Sequence, residues 1–146
     1  MKKSTEDLWN SLKTKTSVEE FFKENSTEMI FDSLQDMILF YMKSKGLKKS
    51  DVVKRSMLGN YAYNIINGDR KKPERDKLIM LCFGLRLTAE EANRLLKMSS
   101  NGELYIRNPR DLVIIYALDR NQSVIDTNEA LDSMGEDLLP IPGLND

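Results

Sequence analysis

Apolar residues recur at three- and four-residue steps along much of the chain, the spacing of one buried face of a helix. Over 31–45 the positions Phe31, Leu34, Ile38, Tyr41 and Met42, joined by Met37, follow that step, and Gly46 stands where a helix stops. Ser50 can cap a following helix that runs to Ser56 with Val52 and Val53 inward. Met57-Leu58-Gly59 then makes a tight connection to a third helix over 60–67, with Tyr63 and Ile66 on its inner side, and Gly68-Asp69 ends it. Ahead of these, Ser4-Thr5-Glu6-Asp7 and Ser17-Val18-Glu19-Glu20 read as capped starts of short helices carrying Leu8, Trp9 and Leu12, then Phe21 and Phe22. Ser26-Thr27-Glu28 reads as the start of another, with Met29 and Ile30.

The second half repeats itself at an offset of 35 residues: Arg75-Asp76 returns as Arg110-Asp111, Ile79 as Ile114, Thr88 as Ser123, Asn93 as Asn128 and Leu96 as Leu131. Each copy predicts an apolar helix, a turn with a Thr or Ser cap, and a second helix, so two helical hairpins stack. The run from Leu112 to Leu118 is apolar on all sides, which predicts a helix central to this half or lying in a dimer interface. Asn93 and Asn128 stand in matching places and are expected to cap or bridge backbone groups. Met134-Gly135 ends the last helix, and the proline spacing after Leu139 predicts an extended or disordered tail.

Composition fits this pattern and narrows the chemistry. With 146 residues, 31% charged and 40% hydrophobic, and only 7 Gly and 4 Pro, the chain reads as a soluble all-α protein of one domain plus a helical extension. The expected division is short N-terminal helices over 1–30, a binding domain over 31–98, a helical hairpin over 99–138 and the tail over 139–146. No apolar run approaches the roughly 20 residues needed to cross a bilayer, so no membrane role is expected. The charged amphipathic start does not resemble a signal peptide. One cysteine, Cys82, permits no internal disulfide and makes the cytoplasm the expected location. The absence of histidine removes the Ser-His-Asp and Cys-His dyads and the usual zinc sites; no enzyme and no cofactor is expected.

Charge changes the picture more than composition does. The formal total is −1, but residues 43–77 hold eleven Lys and Arg against four acids, a local +7, which leaves −8 on the rest. A basic block inside an acidic body suits a polyanion, although a lysine-rich surface without a partner has the same composition.

Within that block, Gly46-Leu47-Lys48-Lys49-Ser50-Asp51-Val52-Val53-Lys54-Arg55 followed by Ala62-Tyr63-Asn64-Ile65-Ile66-Asn67-Gly68-Asp69-Arg70-Lys71-Lys72-Pro73 resembles the phage-repressor-like, or XRE-type, helix-turn-helix family. Asn67 stands where that family usually has Glu, Gly68-Asp69 where it has Asn-Gly, and Val52-Val53 where it has Leu-Ala. The segments 75–85 and 87–91 resemble its fourth and fifth helices, and the likeness covers roughly 31–98. The whole chain is also similar to a group of small Gram-positive bacterial proteins of this type, through Tyr61 to Gly68, Arg75-Asp76-Lys77, Leu95-Leu96, Leu104-Tyr105, Arg110-Asp111 and Asn128 to Leu131.

The resemblance implies a repressor-like helical bundle, extended here by the C-terminal hairpins, that binds double-stranded DNA as a transcriptional regulator and as a homodimer. It puts the base-reading turn at Gly59, Asn60, Tyr61 and Asn64. Asn pairs bidentately with adenine, so Asn60 and Asn64 are the expected readers, with capping open for Asn60 and simple exposure for Asn64. Tyr61 suits a thymine methyl or a phosphate. Lys48, Lys49 and Ser50 at the start of one helix, and Arg70, Lys71 and Lys72 after the other, are expected on phosphates. The alternative is a helical interaction or signalling adaptor that keeps the fold and binds a protein partner through its C-terminal helices.

Overall fold

Side-chain caps start six of the helices: Ser4, Ser17, Ser33, Thr88, Asn108 and Ser123 each accept from the N–H three residues on, and at Thr88 the Glu91 carboxylate reaches back to close a capping box. The computed structural model describes residues 3–25 and 28–143. Among them the chain is all-α, with α1 Thr5–Lys13, α2 Val18–Asn25, α3 Leu34–Ser44, α4 Lys49–Ser56, α5 Asn60–Ile66, α6 Arg75–Gly84, α7 Ala89–Met98, α8 Pro109–Asp119 and α9 Val124–Ser133. The expected helix at 26–30 is not present as read: Met29 and Ile30 lie outside any helix, and Ser26 and Thr27 lie outside the described residues. α4 begins two residues earlier than expected, so Lys48 holds the N-cap position without a side-chain bond and Ser50 sits inside the first turn.

One core runs through the molecule from Leu34 to Ile141. α6 is its centre: Leu78 to Gly84 are all buried. α4 crosses α6 so closely that a Cβ on Gly84 would lie 2.4 Å from the Val52 carbonyl oxygen. The central helix is therefore α6 and not α8, whose Leu112 and Tyr116 are 43% and 52% exposed. α8 has equally apolar residues, but among the described residues no element covers its outer side.

The offset of 35 residues is a structural repeat. The hairpin α6–α7 returns as α8–α9, with left-handed backbone at Arg86 and Asn121 in their loops and at Ser100 and Gly135 after their second helices. Asn93 accepts from the Leu104 N–H at 2.7 Å, and Asn128 from the Leu139 N–H at 2.8 Å. The two Arg-Asp pairs bridge one hairpin to the other: Arg75 to Asp111 at 3.0 Å, and Arg110 to Asp76 at 2.9 Å. Arg75 also donates to the Gly102 and Glu103 carbonyls, and Arg110 to those of Asp137 and Leu138, each 35 residues on.

Asn128 bonds both backbone groups of Leu139, which is fully buried with Ile141 close behind it. That part of the tail is held against α9 and is not disordered; residues 144–146 lie outside the described part. Asn128→Ala leaves a buried N–H and carbonyl unpaired and is expected to cost about 2 kcal/mol. Amide exchange at Leu139 should rise well above that of the α6 core, and protection kept there would contradict this account of the tail.

Candidate nucleic-acid interface

α4 and α5 are joined by three residues whose backbone is unusual. Met57 is left-handed at φ 62°, and Gly59, the N-cap of α5, has φ 59° and ψ −135°, a conformation open only to glycine. Because Gly59 takes the cap position, Asn60 does not cap. Among the described residues, no hydrogen bond engages the Asn60 or Asn64 side chain, and both are exposed.

α5 buries Ala62, Ile65 and Ile66. Its outer stripe is therefore Asn60, Tyr63, Asn64 and Asn67, spaced one helical face apart. This corrects the expected inner position of Tyr63, which is 37% exposed. Tyr63 and Asn67 are outward residues beyond those expected, although Ala62, Ile65 and Ile66 at their own three- and four-residue steps already point to them.

Tyr61 has a different place from the stripe. Its ring lies under the Arg70 guanidinium at 4.6 Å and the Lys77 ammonium at 5.1 Å, and its hydroxyl accepts from the Glu74 N–H at 3.3 Å. Tyr61 thus holds the basic loop beside α5. The Arg70 N–H donates to the Asn64 carbonyl at 3.0 Å, which folds the same loop back on the helix. Asn64, Arg70, Lys71 and Lys72 line one open cleft of about 430 Å³, with Asp69 as its acid.

The basic block divides once it is folded. Lys48, Lys49, Ser50, Arg70, Lys71 and Lys72 are all exposed, with Lys49 donating to the Asn67 amide oxygen at 2.8 Å. Lys45, Arg55 and Arg75 are taken up internally. Lys45 pairs with Glu91, and Arg75 with Asp111. Arg55 donates to the Phe83 and Asn121 carbonyls, both at 2.9 Å, and so ties α4 to the C-terminal ends of α6 and α8, where helix dipoles favour a cation. Burial, and secondarily the nearby Arg86 charge, pull its pKa below the ordinary arginine value.

Among the described residues no group of three or more Cys, Asp and Glu could hold a metal ion, and no helix is long and apolar enough to cross a membrane. Cys82 is fully buried, and burial pushes its thiol pKa up, so it is not a reactive nucleophile. Comparison with protein-family models, with curated proteins and with solved structures finds no match.

Proposed function

We propose that the protein is a repressor-like helix-turn-helix regulator that binds duplex DNA as a homodimer, with α5 in the major groove and no cofactor. The observation that carries this is the outer stripe of α5: three asparagines and a tyrosine, flanked by Lys48 and Lys49 at one side and Arg70, Lys71 and Lys72 in the adjoining loop. Asn60 and Asn64 have the amide geometry to pair with adenine N6 and N7, and neither is spent on a cap. Asn67, bonded by Lys49, fixes a cation beside the stripe. Tyr61 is a positioning residue, since its ring sets the height of Arg70 over the backbone. The short backbone connection at Gly59 makes the two helices present one surface, as groove entry requires.

A titration of a labelled duplex against the full chain tests this. Affinity should fall steeply with salt, because cations on phosphates release counterions. Replacing Arg70, Lys71 and Lys72 together by alanine should weaken binding on any duplex by about a hundredfold and flatten the salt slope by about 2 to 3. No binding even at low salt would contradict the proposal and favour the adaptor role.

A further inference from the structure

α1 is a helix without a core. None of its residues is buried, and Trp9 and Leu12 are 64% and 41% exposed although they share one side with Leu8. Its layout repeats that of α3. Each helix starts on a serine, Ser4 or Ser33, that accepts from an aspartate N–H three residues on, Asp7 or Asp36. Apolar residues then follow at matching places: Leu8, Trp9 and Leu12 in α1, Met37, Ile38 and Tyr41 in α3. In α3 these are 2%, 0% and 0% exposed, because that helix lies against α5 and α7. In α1 they line a shallow cleft beside Phe21 and Met29 that half-buries Leu8 and leaves Trp9 and Leu12 exposed.

The groove between α8 and α9 is the converse surface. It encloses about 580 Å³, with Leu112, Tyr116, Ala130 and Met134 along it and Asp126 and Glu129 at its edge. The repeat sets these six against Lys77, Leu81, Leu95, Ser99, Glu91 and Arg94 in the first hairpin. There the same face is covered by the elements that precede it in the chain. Leu81 and Leu95 are fully buried, Lys77 lies over Tyr61 of α5, and Glu91 pairs with Lys45 just past the end of α3. In the second hairpin Tyr116 and Met134 stand 52% and 57% exposed.

We propose that the two bare surfaces meet across two copies of this chain, α1 of each lying in the α8–α9 groove of the other as α3 lies against α7 within one chain. Lys13 in the last turn of α1 is opposite in charge to Asp126 and Glu129 at the groove edge. Within one chain α1 packs beside α2, and among the described residues Trp9 and Leu12 on the one surface and Tyr116 and Met134 on the other stay exposed. A reciprocal exchange uses both on both copies and closes with two-fold symmetry, leaving no open end. It deepens the regulator reading, and rests on it for the need of a paired α5, but its test requires no DNA.

Sedimentation of the full chain at micromolar concentration should show a dimer. Trp9→Glu and Tyr116→Glu each change an exposed residue, so far-UV circular dichroism should stay unchanged while the dimer dissociation constant rises by about a hundredfold. Under mild oxidation a Leu12→Cys chain mixed with an Ala130→Cys chain should give a covalent dimer that neither forms alone, Cys82 being buried. A monomeric wild-type chain overturns the proposal, and duplex binding by that monomer would leave DNA recognition by α5 standing without the homodimer. A dimer lost with Tyr116→Glu but kept with Trp9→Glu means that groove meets groove, and also overturns it.

Discussion

Gly84→Ala should lower the unfolding free energy by about 3 kcal/mol and the melting temperature by about 10 °C. The added Cβ would stand 2.4 Å from the Val52 carbonyl oxygen and 3.1 Å from Ser56 Cβ. Both belong to α4, and the nearer is backbone, so no side-chain rotation relieves the contact. α4 has to move off α6. Because α4 carries Lys48 and Lys49 and is joined to α5 through a rigid turn, duplex affinity should fall with stability. Gly102→Ala is the control: its Cβ would meet only the Arg75 Nε at 3.8 Å, an ordinary contact, and its melting temperature should not change. Equal melting temperatures for Gly84→Ala and the parent chain would show that the α4–α6 crossing is looser than described.

Asp111→Ala is expected to cost about 3 kcal/mol. The carboxylate is buried and accepts from both terminal nitrogens of Arg75 and from the Tyr105 N–H at 3.0 Å. Among the described residues, removing it takes the only carboxylate from a guanidinium between the two hairpins, which then keeps just its bonds to the Gly102 and Glu103 carbonyls, and leaves the Tyr105 amide unpaired. Asp76→Ala breaks the reciprocal bridge to Arg110, but Asp76 is one-third exposed, so its loss should cost about 1 kcal/mol. The difference between the two variants in urea unfolding measures how far burial decides the strength of an otherwise repeated pair. Equal losses would contradict the asymmetry.

The repeat was legible because its signals are local and chemical: a cap at Thr88 or Ser123, an amide at Asn93 or Asn128, and an Arg-Asp pair at a helix start. The same holds for the α4–α5 connection, where Gly59 and the flanking apolar spacing suffice. What was not legible depends on partners distant in sequence. Tyr63 and Ile66 fit one helical face as well as Ala62, Ile65 and Ile66 do, and only the packing of α5 on α3 and α4 selects the second set. α6 and α8 are equally apolar, and their different burial follows from α4 covering the outer side of one while, among the described residues, no element covers the outer side of the other. The +7 block looked uniform, yet Arg55 and Arg75 turn inward to carbonyls that lie 66 and 27 residues away. What remains exposed is a smaller set of cations, gathered beside the outer stripe of α5.

Selection of bound duplexes from a random pool, run in parallel on the full chain and on Asn64→Ala, tests the central claim most directly. The account predicts an enriched motif of two symmetric half-sites about one helical turn apart, with adenine positions that lose their preference when Asn64 is replaced. No enrichment from the full chain, or the same motif with the same preference from Asn64→Ala, would contradict it.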